Sequence, residues 1–175
     1  IKPIIGADLW LKQPDSQEAP TQLVLLCQND EGYKNLTEVV SLAYTEGQRG
    51  GMAIVDKAWI KTRTQGLILL SGGRSGDIGR AILGGNVDLA AKLVQEYQAL
   101  FPERFYLELQ RTGREGEEVY IAQVLALAGQ YQVPVVATND VRFLKQDDFD
   151  AHEVRVCVHD GRALDDPRRP KIYSN

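Results

Sequence analysis

The chain has 175 residues and a formal net charge of −4, from 20 Lys and Arg against 24 Asp and Glu. That length allows one domain with a sizeable core, and an acidic balance without a basic run speaks against a surface built to coat nucleic acid. No apolar run reaches the roughly 18 residues of a membrane span, no secretory leader pattern is visible, and Cys27 and Cys157 form neither a CxxC unit nor a disulfide framework, so a reducing cytoplasm is the default compartment.

The chain opens at Ile1 without a starter methionine and stops at Asn175 without a visible domain end, so it reads as a segment of a longer protein. Ile4 to Leu11 (IIGADLWL) predicts a strand with Asp8 embedded in it, and Gln22 to Cys27 (QLVLLC) a second, more central one. The loop between them, Lys12 to Pro20, is too short for a crossover helix, so the two form an antiparallel hairpin. Asn29-Asp30 offers a helix cap, Tyr33, Leu36, Val40 and Tyr44 follow at helical spacing, and Gly47 ends the helix. Gly47 to Ala53 reads as a Gly-rich connection, and Asp56 to Lys61 as a short amphipathic piece anchored by Trp59.

Gly66 to Ser71 (GLILLS) predicts a third strand, followed by a Gly-rich turn and a helix over about 77–83. Asn86 caps a longer helix with Leu89, Leu93, Tyr97 and Leu100 on one face. Phe105 to Gln110 is a fourth strand, with Tyr106, Glu108 and Gln110 on one side. A helix over about 115–131 places Val119, Ala122, Leu125 and Ala128 in register. Val133 to Thr138 is a fifth, buried strand, 147–158 is helical, and 164–175 is an extended, Pro-containing tail. From the third strand onward the order β-α-β-α-β-α favours a parallel sheet with covering helices.

Chemistry in such sheets collects at the carboxyl ends of strands. Ser71 to Gly79 (SGGRSGDIG) lies at one such end, but it matches neither GxxxxGK[ST] nor GxGxxG and reads as a tight connection rather than a phosphate cradle. Glu108 has no second acid close in sequence and reads as a hydrogen-bonded structural residue. His152 and His159 are the only histidines and stand two helical turns, about 10 Å, apart, which suits surface or capping roles rather than one metal site. Asp147, Asp148 and Asp150 look like an acidic helix start. In PVVATNDVRF (134–143), Asp140 and Arg142 point to the same side of an extended chain.

The segments LLCQNDEGYKNLTEVVSLAY, GLILLSGGRSGDIGRAIL, FYLELQRTGR, VPVVATNDVRFL and DFDAHEVRVCVHDGRALDDP, in this order, resemble the N-terminal PHP (polymerase and histidinol phosphatase) domain of the alpha subunits of bacterial DNA polymerase III. The resemblance implies an α/β fold, a distorted (β/α)7 barrel truncated at its N-terminal strands, where the family's opening His-x-His lies. It implies a PHP domain over 1–163 and a tail over 164–175 leading toward polymerase domains. PHP domains with an intact site hold metal ions on His, Asp, Glu and Cys ligands and hydrolyse phosphoesters. Where the family has Glu in G-x-E, this chain has Asp8; where metal-binding relatives have Cys after Leu-Ser-Gly, it has Gly73. In the segment they write LELQDHG, the Asp position is Arg111 and the His position is Thr112. In their N-D-V-H segment Asp140 remains and the His is Arg142.

Gly and Thr offer no comparable ligand, and a guanidinium cannot deprotonate to bind metal. The expectation is therefore a degenerate site with no catalytic residue, metal or cofactor of its own, in which Arg142 pairs with Asp140 and Asp8. The resemblance further implies DNA synthesis by the full-length protein with Mg2+ in its polymerase domain, docking of the epsilon proofreading exonuclease and other holoenzyme subunits, DNA contact through the full-length protein, and no membrane. The competing readings are an active metal-dependent phosphoesterase, pyrophosphatase or 3'-5' exonuclease module, and a free-standing binding protein.

Overall fold

The computed structural model describes residues 1–13 and 18–169, in two compact units, Ile1–Thr138 and Asn139–Asn175. The first unit is built on β1 (Gly6–Leu11), β2 (Thr21–Cys27), β3 (Gln48–Arg49), β4 (Met52–Val55), β5 (Leu67–Leu70), β6 (Phe105–Leu109) and β7 (Val135–Ala137). They form one seven-stranded sheet in the order β3-β4-β1-β2-β5-β6-β7. As the short connection requires, β1 and β2 pair antiparallel, with Asp8 opposite Val24. β2 and β5 are also antiparallel, and β5, β6 and β7 run parallel. The expected mixed α/β architecture holds. Among the described residues the sheet stays open, with β3 and β7 at its edges.

The helices are α1 (Asp30–Thr45), α2 (Lys57–Lys61), α3 (Asp77–Leu83), α4 (Val87–Leu100) and α5 (Glu117–Tyr131). Their starts follow the sequence: the side chains of Asn29, Asp56 and Asn86 accept hydrogen bonds from the N–H groups of Gly32, Ala58 and Leu89. One face of the sheet, with Leu9, Leu11, Leu23, Leu25, Leu67, Leu69, Phe105 and Leu107, is buried together with Leu36 and Val39 of α1, Val94 and Tyr97 of α4, and Tyr120 and Val124 of α5. Each such side chain contributes about 1.5–3 kcal/mol when fully buried. The alternate residues put Asp8, Val24, Leu70 and Tyr106 in one row across the opposite face, with Glu108 two residues further along β6.

Within the first unit four expectations change. Tyr33 and Tyr44 are 52% and 62% exposed, and α1 buries Gly32, Leu36, Val39 and Ala43 instead. On α4 and α5 the buried stripes are Ala90, Val94 and Tyr97, and Tyr120, Ile121, Val124, Leu127 and Ala128, so Leu89, Val119 and Leu125 stay exposed. The Gly-rich connection is a β-hairpin, β3 turning into β4 through Gly50-Gly51, a two-residue turn sequence that marks hairpins. The fifth strand is not buried: β7 is an edge strand, with Val135 40% exposed. Trp59 is half-buried against the core as expected, beside the fully buried Ile60.

The second unit is described through residue 169. A short 3-10 turn, Gln146–Asp148, leads into α6 (Phe149–Asp160). Residues 164–169 form turns pinned by Asp166, which accepts from Arg168 Nε at 3.1 Å, rather than an extended run. The rest of the expected tail, 170–175, and residues 14–17 of the first loop lie outside the described residues. Among the described residues no helix is long and apolar enough to cross a membrane.

Candidate functional site

Because β2 opposes both β1 and β5, the carboxyl ends of β1, β4, β5, β6 and β7 share one end of the sheet. The loops after them carry Asp56, Ser71 to Gly76, Gln110 to Thr112 and Thr138. The Gly-rich turn is dictated by backbone packing: a Cβ on Gly76 would stand 1.9 Å from the Ser71 carbonyl oxygen. This is the tight connection read from the sequence.

Glu108 and Gln110 project from the end of β6 into a polar network. Glu108 is 4% exposed, its Oε1 accepts from the Thr138 hydroxyl and from Gln110 Nε2 at 3.1 Å, and its N–H donates to Ser71 Oγ at 2.9 Å. The Tyr120 hydroxyl donates to the Glu108 carbonyl at 2.6 Å. Burial pushes the Tyr120 phenol far up, with the Glu108 charge adding to it against a hydrogen bond from Ser71. The structural role read for Glu108 fits this network.

Thr112 is turned to a different task. Its N–H and hydroxyl donate to Glu117 at 2.7 and 2.9 Å, and the Gly113 N–H donates to the same carboxylate at 2.8 Å. Burial works to raise the Glu117 pKa, but the donors of Thr112, Gly113 and Arg114 outweigh it and hold the carboxyl below the usual range. Arg111 points elsewhere, to Glu118 at 2.9 Å, on an exposed surface. Asp8 is exposed on β1, lining a cleft of about 440 Å³ with Trp10, Tyr44 and Met52.

In the second unit Arg142 Nη2 stands 2.7 Å from Asp140 Oδ1, the guanidinium 40% and the carboxylate 18% exposed. Asp8 belongs to the first unit. His152 is 6% exposed, its ring 5.5 Å from that of Phe143, so the surface role expected for it gives way to a buried one; His159 is exposed. The acidic start of α6 is as expected, with Asp148 Oδ2 accepting from the Lys145 N–H at 3.1 Å.

A second ionisable cluster was not legible in the sequence. A cleft of about 740 Å³ is lined by Leu11, Asp56, Lys57, Asp77, Leu93 and Glu96, among others. Asp77 accepts from the Tyr97 hydroxyl at 2.5 Å, and Lys57 bridges Glu96 at 2.8 Å and lies 4.2 Å above the Tyr97 ring. Burial raises the Asp77 pKa despite its donors, and burial with the Asp77 charge raises that of Tyr97. The only sequence signal was the acid at the first position of α3.

A divalent metal cluster needs several anionic or imidazole donors in one place. Gly73 has no side chain, Thr112 is committed to Glu117, and Arg142 brings a cation to Asp140. Among the described residues no three His, Cys, Asp or Glu side chains gather so as to hold a metal ion. The residues present do not fit such a cluster.

The PHP domain family matches residues 1–112. The DNA polymerase III subunit alpha of Pseudomonas fluorescens is 51% identical over all 175 residues, that of Vibrio cholerae 50% over 174 residues, and that of Escherichia coli K12 49% over 174 residues. The chain spans 15% of the length of each of these relatives.

Proposed function

The chain belongs to the PHP domain family, and on that premise we propose that it is the hydrolytically silent PHP module of a replicative DNA polymerase alpha subunit. Its role is to support the polymerase body and to dock other subunits of the polymerase III assembly, the epsilon proofreading exonuclease among them, in the bacterial cytoplasm. DNA synthesis, with its Mg2+, is the work of residues outside these 175. The high identity to DNA polymerase III alpha subunits over the whole chain supports the place in replication.

The observation that carries the silent role is the Arg142–Asp140 pair at 2.7 Å. The one acid kept from the family's N-D-V-H segment is matched by a guanidinium where an imidazole would stand. That guanidinium supplies the positive charge a metal would otherwise bring, in a fork that cannot be a ligand. The pair is half-exposed, so its own contribution to stability is about 0–1 kcal/mol; its consequence is for metal affinity.

Incubated with Mn2+ or Zn2+ and a chromogenic phosphodiester such as bis(p-nitrophenyl) phosphate, the protein is expected to leave the background hydrolysis rate unchanged. Arg142→His restores one imidazole but neither of the donors missing at Gly73 and Thr112, and is expected to stay silent too. Turnover by the unaltered protein that Asp140→Ala abolishes would make it an active phosphoesterase instead.

A further inference from the structure

Glu108 combines two features that are costly together. It is 4% exposed, and its Oε2 is buried with no hydrogen-bond donor among the described residues. Oε1 holds both available donors, the Thr138 hydroxyl and Gln110 Nε2. The main chain is fixed, the N–H by Ser71 and the carbonyl by Tyr120, and turning the carboxylate out to water would break the Oε1 contacts with Thr138 and Gln110. An ionised carboxylate with one bare buried oxygen is strongly disfavoured.

We propose that Glu108 Oε2 is the anchor of a monovalent-cation site, for an alkali ion or ammonium, completed by neutral oxygens of Gln110 and Thr138. The charge balance selects the ion. The proposed ligands are one carboxylate, an amide and a hydroxyl, and among the described residues no three His, Cys, Asp or Glu side chains gather so as to hold a metal ion. Hard neutral oxygens around one negative charge suit a singly charged, oxygen-seeking cation. Gln110 spends its Nε2 on Glu108 and Thr138, at 3.1 and 3.2 Å, which leaves its Oε1 as the acceptor. Gly73 flanks that oxygen: a Cβ there would stand in ordinary contact with it, at 3.5 Å, and a φ of 59° disfavours any side chain. The bound ion cross-links the ends of β6 and β7. The proposed ligands, Glu108, Gln110 and Thr138, stand at none of the positions given to the family's divalent ligands; Gly73, which is one of those positions, contributes only the absence of a side chain.

The test is thermal unfolding of the protein at equal ionic strength in KCl, NaCl, NH4Cl and tetramethylammonium chloride, the last cation being too bulky to enter. The midpoint is expected to rise by several degrees in at least one of the first three salts, and Glu108→Gln, which keeps the shape and removes the charge, is expected to abolish the difference. Equal midpoints in all four salts, or the same salt preference in Glu108→Gln, overturn the proposal. Should Glu108→Gln fail to fold, thallium(I) titration of the unaltered protein decides: the 205Tl resonance is expected to broaden and to sharpen again when K+ displaces it, and an unbroadened line overturns the site.

Discussion

Gly32→Ala is expected to destabilise the first unit by at least about 3 kcal/mol, the upper range for forcing extra atoms into a closed space. A Cβ at Gly32 would lie 1.8 Å from the Gly66 carbonyl oxygen and 2.5 Å from its carbonyl carbon. Both partners are main chain, so no rotamer change can make room. The neighbourhood is locked as well: the Gln28 N–H donates to the same Gly66 carbonyl at 2.8 Å, and Asn29 caps α1 through the Gly32 N–H. Relief requires α1 to lift off β5, which uncovers Leu36, Val39 and Ala43. For a chain of this size the melting midpoint should fall by about 6–12 °C. Ala43→Gly, which adds no atoms on the same helix face, serves as a control and should lose only about 1 kcal/mol from helix propensity and a small transfer term. Equal melting of Gly32→Ala and the parent would show that α1 does not approach the strand this closely.

Glu117→Ala should cost about 2 kcal/mol at neutral pH, because it strands three donors, the Thr112 N–H and hydroxyl and the Gly113 N–H. The pH dependence gives a sharper signature. The folded-state pKa of Glu117 lies below its unfolded value, so the stabilisation is complete above the unfolded pKa and disappears as pH falls through the folded one. The denaturant midpoints of the parent and of Glu117→Ala should therefore be furthest apart near pH 7 and converge as the solution is acidified below about pH 4. Thr112→Val tests the same cap from the donor side and should reproduce a smaller part of the loss, about 1 kcal/mol. A constant gap between parent and Glu117→Ala across that range would mean the carboxylate is not held by these donors.

The helix and strand types were readable because the punctuation is strong: Asn29, Asp56 and Asn86 cap the helices they precede, and QLVLLC and GLILLS are too apolar for anything but interior strands. The faces were less so. On α4 Leu89 and Leu93 compete with Ala90 and Val94 for the interior, and on α5 apolar residues run almost all round, so periodicity alone does not choose the stripe. The choice is made by approach distance. Where α1 comes close enough to touch Gly66, Gly32 must face inward, and the bulky Tyr33 beside it is turned out. The edge position of β7 was hidden for a similar reason, since an apolar run does not state how many neighbours a strand has.

At the candidate site, residue types carried most of the argument. Gly73, Thr112 and Arg142 carry no carboxylate, imidazole or thiolate, which is readable from residue type alone. What they do instead was not legible: Thr112 is claimed by Glu117 five residues away across a turn, and the Glu108 network joins β6 to Thr138, thirty residues further on. Neither contact leaves a periodic or motif-like trace. Arg142 and Asp140, two residues apart in a stretch without regular secondary structure, were close enough in sequence for their pairing to be anticipated from chemistry.

The central claim is that charge replacement has silenced the metal site, and metal content tests it most directly. The protein is expressed with zinc and manganese in the medium, dialysed against metal-free buffer without chelator, and analysed by inductively coupled plasma mass spectrometry. The account predicts no zinc, manganese or iron near stoichiometry. One or more such ions per chain, lost in Asp140→Ala, would contradict it.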